Sequence, residues 1–223
     1  MDTLKREFIT TSDGSKTIFL PDFNETYHSK FGAIQEAQHV FIKYGFNCID
    51  SKNISILEVG FGTGLNALVT KAANEKSDKS IHYFGIEKFP ISSFEVEQLN
   101  YVSTLEKPNL EPFFNLIHSC KWEEDVIIDL DFTLFKNKVT LEDFFATPKF
   151  NLVYFDAFGF HYQPQLWTEE IFKKMYDCML PNSILVTYAC RTSIRKAMLA
   201  VGFEVEKLPG APGKREMLRA FKK

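Results

Sequence analysis

Residues 57–68 read LEVGFGTGLNAL: an apolar run, glycines at Gly60, Gly62 and Gly64, and the start of an amphipathic pattern. A strand that turns on glycines into a helix is the floor of a nucleotide crevice. Glycine accepts the positive φ of a tight turn and lets another group approach the backbone closely. Glu58 lies two residues before the first glycine. The next apolar run, residues 81–86, closes at Glu87, where a carboxylate can accept hydrogen bonds from both hydroxyls of a ribose. A turn that merely packs a helix on its strand needs neither three glycines nor the second acid.

Outward from this segment, strands and helices alternate. Toward the C-terminus, residues 63–73 have helical spacing, 92–100 begin with Ser and carry Glu95 three residues on, and 113–118 form a third strand candidate. The β-rich stretch 126–139 holds one or two strands, and 150–156 (FNLVYFD) is the clearest strand of the chain. A helix over 168–179 follows, with Thr168 as N-cap, then a strand at 183–188, a helix at 192–201 and a closing hairpin around PGAPG at 209–213. Toward the N-terminus, Asp13-Gly14 between two β-prone runs predicts a hairpin, and residues 32–46 read as an amphipathic helix. Strands separated by helices predict an α/β fold with a mostly parallel, doubly wound sheet. Such a sheet binds ligands beyond the carboxyl ends of its strands, so Glu87, Asp156 and the nearby Glu58 are expected to line one crevice.

The glycine spacing departs from the G-x-G-x-x-G dinucleotide fingerprint. It leans toward S-adenosylmethionine over NAD, because a sulfonium nucleoside has no pyrophosphate to seat on a helix N-terminus. Asp156 leaves its strand into AFGFHYQPQLW at residues 157–167. An acid placed there can orient an amine nucleophile, accept its proton and stabilise the developing ammonium. Phe158 and Tyr162 offer faces on which a splayed base can stack, whereas Trp167 reads as a core anchor.

The chain has 223 residues, 45% hydrophobic and 25% charged, with a net charge of −3, which excludes a disordered or collagen-like chain. No apolar run is long enough to span a bilayer, and MDTLKRE at residues 1–7 lacks the apolar core of a signal peptide, so a cytoplasmic protein is expected. Cys48, Cys120, Cys178 and Cys190 form no C-x-x-C pair; Cys48, Cys178 and Cys190 sit in apolar surroundings. With the five histidines scattered, no metal is expected.

Five stretches together, FNETYHSKFGAIQEAQHVF (23–41), LEVGFGTGLNAL (57–68), YFDAF (154–158), QPQLWTEEIF (163–172) and PGAPGKREMLRA (209–220), resemble the methyltransferase domain of the tRNA 5-methylaminomethyl-2-thiouridine biosynthesis protein family. The resemblance runs in order over about 200 residues. It implies a Rossmann-like class I S-adenosylmethionine-dependent methyltransferase. One domain would fill residues 1–223, a hairpin-and-helix addition at 1–50 on a core at 51–223 with an antiparallel C-terminal strand. The implied substrate is the wobble uridine in the anticodon loop of tRNA, whose 5-aminomethyl amine becomes 5-methylaminomethyl. Carried over residue by residue, Gly60, Gly62 and Gly64 match the cofactor loop, Glu87 the ribose acid, and Asp156 the acid beside the amine. Tyr27 and Glu36 match a cover over the cofactor, and Lys214, Arg215 and Arg219 a basic motif suited to phosphates.

Two departures from the family pattern stand out. Asn137-Lys138 replaces a Gly-Asp after the hairpin strand, and Gly159-Phe160 replaces a Pro-containing pair after Asp-Ala-Phe. The best-known members carry a fused flavin-dependent oxidase; the chain ends at Lys223, so a stand-alone form is expected, with separate enzymes supplying the amine. Alternatives are a methyltransferase for another RNA base or a small amine, and a noncatalytic cofactor- or RNA-binding protein. Retention of both Glu87 and Asp156 argues against the last. Residues 191–223 hold nine cations against three acids, a local +6 against −9 in residues 1–190. That division suits a chain that docks phosphates on one side.

Overall fold

The computed structural model describes residues 5–223; the first four residues of the N-terminal reading lie outside the described residues. The predicted hairpin is present: β1 (Glu7–Thr10) pairs antiparallel with β2 (Lys16–Leu20) across a turn where Gly14 has φ 84°. Asp13 fixes that turn, its Oδ1 accepting from the Thr11 hydroxyl at 2.8 Å and the Ser15 amide at 3.0 Å. A short β3 (Glu25–Thr26) adds to β2. The helix expected over 32–46 is α-helical only in α1 (Ala33–Ala37), then widens into a π-helical stretch, Gln38–Lys43. The consecutive Val40, Phe41 and Ile42 are all buried, which the wider turn accommodates better than an α-helical repeat would.

The core follows as β4 (Asn53–Val59), α2 (Leu65–Asn74) and β5 (Ser80–Ile86), then α3 (Ser93–Glu97) with a capping box made by Ser92 and Glu95, and a short α4 (Tyr101–Thr104). Next are α5 (Glu111–Ser119), the hairpin β6 (Asp125–Asp129) and β7 (Phe132–Asn137), and β8 (Phe150–Phe155). The chain closes with α6 (Glu169–Cys178), capped by Thr168, then β9 (Met179–Thr187), α7 (Thr192–Ala200), β10 (Glu204–Pro209) and β11 (Glu216–Lys222). Residues 113–118 are therefore helical, not a strand. Pro112 in the first turn starts a helix, and Phe113, Phe114 and Ile117 bury one helical face that overrides their β propensity.

Eight strands form one sheet in the order β10-β11-β9-β8-β4-β5-β7-β6. The central pairs β9-β8, β8-β4, β4-β5 and β5-β7 are parallel, and the edges are antiparallel, as the doubly wound reading required. The chain runs β4, β5, β7 to one side and returns to β8 and β9 on the other. The reversal lies between β4 and β8, where a crevice opens beyond the strand ends. Ala33, Phe41 and Phe46 of the N-terminal segment share one buried cluster with Ile56, Tyr83 and Tyr154 of the sheet. Trp167 is buried as expected, whereas Cys48 is exposed on the 3-10 turn Phe46–Cys48.

Gly85, inside β5, faces the glycine loop so closely that an added Cβ would lie 2.6 Å from the Phe61 ring. Gly85→Ala is expected to destabilise the fold by about 1–3 kcal/mol through overpacking. An unchanged midpoint in urea unfolding would show that Phe61 can swing away.

Candidate active site

Three strand ends meet at the crevice. Gly60 follows β4, Glu87 follows β5 and Asp156 follows β8, and backbone bonds tie each to its neighbour: Gly60 N–H and Phe61 N–H donate to Ile86 O, and Asp156 N–H to Val59 O, all at 3.0 Å. Gly60, Gly62 and Gly64 have φ of 88°, 49° and 68°. A Cβ on Gly60 would sit 2.8 Å from the Asp156 carbonyl oxygen, so that position admits no side chain. Glu87 accepts from Gly62 N–H at 3.0 Å and Phe89 N–H at 2.7 Å, which aims its carboxylate across the loop. Burial raises its pKa, opposed by those backbone donors. A carboxylate so held keeps lone pairs for two further hydroxyl donors.

Asp156 belongs to a buried polar network. The Asn66 side-chain amide donates to Glu58 Oε1 and to Asp156 Oδ2, each at 2.8 Å, and Tyr83 O–H donates to Glu58 Oε2 at 2.8 Å. Asn66 sits in the first turn of α2, so the helix that follows the glycines is what brings an amide between two strand-borne acids. Burial moves the Asp156 pKa up to about 7; Glu36 adds to the rise, and the Asn66 and Lys214 interactions oppose it. The pKa of Glu58, which is almost wholly inaccessible, is also pushed up by burial.

The N-terminal segment covers the cleft. His28, buried enough that its pKa falls to about 4, contacts Thr17 Oγ1 at 3.1 Å through Nδ1 and Thr63 Oγ1 at 3.3 Å through Nε2, tying β2 to the glycine loop. Arg6 donates to both carboxylate oxygens of Glu95 at 3.1 Å and lies 5.8 Å from the Tyr27 ring centroid. Rings then run from Tyr27 to Phe158 (5.1 Å), Tyr162 (5.3 Å from Phe158) and Phe23 (4.4 Å from Tyr162), an aromatic wall along the loop after β8. That loop is held from below by Trp167 Nε1–H donating to Phe158 O and by Tyr188 O–H donating to Ala157 O, both at 2.9 Å.

The cleft, about 970 Å³ counting the solvent at its open mouth, is lined by Tyr27, Gly60, Gly62, Glu87, Asp156 and Phe158 among others. Those six expected residues are brought together. Other expected residues stand elsewhere. Glu58 points beneath the loop, and a Cβ on Gly64 would meet Ile117 and His118 of α5, so these two support the loop from behind. Glu36 is buried, accepting from Ser29 N–H at 3.0 Å and pairing with Lys214, whose ammonium also lies 3.8 Å from the Tyr188 ring centroid. Lys214 is thus a clasp between the cover and β11, not a free cation. Arg219 pairs with Glu206 and donates to Tyr44 O, facing the π-helical stretch, and only Arg215 of the three stands exposed. The reason is local: on β11, Arg219 lies directly opposite Glu206 of β10.

Sequence reasoning missed Asn66, His28, Tyr188 and the lining stretch Val139, Thr140, Leu141 and Glu142. The first carried a signal, a polar residue inside the apolar start of α2. For the stretch after β7 the sequence marked only the preceding Asn137-Lys138, and the lining role of Val139 to Glu142 comes from β7 lying beside β5.

A family model described as S-adenosyl-L-methionine-dependent methyltransferase matches residues 105–223. The tRNA 5-methylaminomethyl-2-thiouridine biosynthesis bifunctional protein MnmC of Leptospira interrogans is 31% identical over 208 residues, covering 88% of this chain and 32% of that protein. Its counterpart from Polaromonas naphthalenivorans is 30% identical over 231 residues, covering 94% and 34%. The chain therefore spans about a third of the length of the curated relatives it matches. Among solved structures, MNMC2 from Aquifex aeolicus superposes with a TM-score of 0.79 at 25% identity, covering all of this chain and 71% of that one. Spermidine synthase from Thermotoga maritima, 9% identical with a TM-score of 0.53, shares the fold alone.

Proposed function

We infer the reaction from the premise that this chain belongs to the S-adenosyl-L-methionine-dependent methyltransferases, the family whose model covers residues 105–223. The proposed substrate is the 5-aminomethyl(-2-thio)uridine at the wobble position of tRNA, and the proposed product its 5-methylaminomethyl form. The names of the curated relatives support the substrate class. One observation carries the chemistry. A recessed carboxylate, Asp156, stands between a glycine loop and an aromatic wall, with its pKa raised to about 7.

The residues suit the cofactor. Gly60 and Gly62 leave the loop bare, and Glu87 would present a half-buried, oriented carboxylate to a ribose. When bound, S-adenosyl-L-methionine supplies an electrophilic methyl group on a sulfonium. Phe158 and Tyr162 would hold the flat base, and the cover would exclude water. Asp156 would accept a proton from the substrate ammonium so that the nitrogen lone pair is free, then face the secondary ammonium produced. A base near the working pH balances being ionised against being a strong enough acceptor.

Because Asp156 must be ionised to act, kcat/KM is expected to climb with pH through about 7 and then level. A flat profile from pH 6 to 8 would contradict that role. Glu87→Ala removes a charged acceptor and is expected to weaken S-adenosyl-L-methionine binding about tenfold or more, read by calorimetry. Unchanged affinity would remove Glu87 from the ribose site. The function itself is tested by transfer of labelled methyl to tRNA from cells blocked at the aminomethyl stage. No transfer, with cofactor binding intact, would overturn the tRNA reading and leave another RNA base or a small amine as acceptor.

A further inference from the structure

We propose that Arg191, Arg195 and Arg215 form a docking surface for the sugar–phosphate backbone of the RNA substrate, beside the mouth of the cleft; this rests on the tRNA reading above. Five of the nine C-terminal cations are engaged within the fold. Lys214 pairs with Glu36, Arg219 with Glu206, Lys223 with Glu204 and Lys207 with Glu216, while Lys222 donates to the carbonyls of Tyr176 and Met179. The other four, Arg191, Arg195, Arg215 and Lys196, have no acidic partner among the described residues, and the three arginines form the proposed surface.

Topology gathers these three at one edge. Arg191 immediately precedes α7, and Arg195 lies four residues on, on the same helical face. The pairing of Leu218 with Thr187 puts the turn before β11, with Arg215, just past the carboxyl end of β9. There Cys190 Sγ–H donates to Glu216 at 3.6 Å, joining the start of α7 to that turn. Arg191 also reaches the loop that carries the aromatic wall, its guanidinium carbon 4.6 Å from the Phe160 ring centroid and its Nη1 donating to His161 Nε2 at 3.1 Å. Arg191 and Arg215 are exposed, so a phosphate can reach them without breaking an ion pair. Phosphate contacts there would fix the strand's position, and the target base would turn inward past Phe158 toward Asp156.

The test is the KM for tRNA and its dependence on salt. Arg191→Gln with Arg195→Gln is expected to raise KM several-fold, leave kcat at saturation and S-adenosyl-L-methionine affinity unchanged, and flatten the plot of log affinity against log salt by about 2, one for each lost contact. Arg191→Lys keeps the charge and is expected to keep the slope, which a purely loop-positioning role for Arg191 would not do. Lys52→Gln with Lys76→Gln, at two exposed lysines just before β4 and just past α2, removes the same two charges and controls for net charge. An unchanged KM and slope in the double variant, with the wild type active on tRNA, would overturn this surface alone. A wild type that binds cofactor and methylates no tRNA would bring down the substrate reading and the surface with it.

Discussion

Asp156→Ala is expected to lower kcat by about 10²–10³-fold while S-adenosyl-L-methionine still binds. The residue is held by Val59 O through its backbone and by Asn66 through its side chain, so its truncation leaves the loop geometry supported. What disappears is the acceptor for the amine proton. Asp156→Asn is the sharper version, because it keeps shape and can still hydrogen-bond but cannot take up a proton. If Asn retained most turnover, the role would be positional and Asp156 would not be the base. The same substitution has a signature in stability. The Asp156 pKa is raised in the folded state, so its contribution to stability is full below the unfolded value near 4 and lost as pH rises through about 7. Asp156→Asn is therefore expected to melt higher than the wild type at pH 8, and by a margin that vanishes toward pH 4. Such a gain at the expense of turnover is the usual cost structure of an active site.

The parallel core was legible because its cues are local: apolar runs, glycine, an acid at each strand end, and helices capped by Ser92 and Thr168. That Glu87 and Asp156 line the cleft is legible for the same reason, since an acid ending a parallel strand faces the ligand edge. The failures share a different cause. Residues 113–118 have strand-like composition, and beyond the cue of Pro112 it is packing of α5 against the sheet that overrides it. Lys214 and Arg219 read as free cations because their partners, Glu36 and Glu206, lie 178 and 13 residues away in sequence. Glu58 read as a cleft acid because position along a strand is visible, whereas the face it points to depends on Tyr83 and Asn66. Charge totals are read from a sequence; which charges are already neutralised is a property of the fold.

Asn66 gives the second large effect, and its direction with pH separates tuning from scaffolding. Both amide hydrogens are committed, one to Glu58 and one to Asp156, and its Oδ1 is buried with no partner. Asn66→Ala leaves the ionised Asp156 short of a donor in a site already unfavourable to charge. A hydrogen bond to a charged group is worth about 1.5–3 kcal/mol, and one pKa unit is about 1.4 kcal/mol, so the Asp156 pKa should rise by about one to two units. From a starting pKa of about 7, activity at pH 7 is then expected to fall by about five- to fiftyfold and to recover substantially toward pH 9. A scaffold defect would depress the rate equally at every pH. Glu58→Gln completes the comparison. Burial and the neighbouring acids favour the neutral form of Glu58, so a neutral isostere that still accepts from Asn66 should leave the pH–rate profile close to wild type. A collapse of activity in Glu58→Gln would mean that Glu58 works as a charge, and that the network holds Asp156 by repulsion and not by the shared amide.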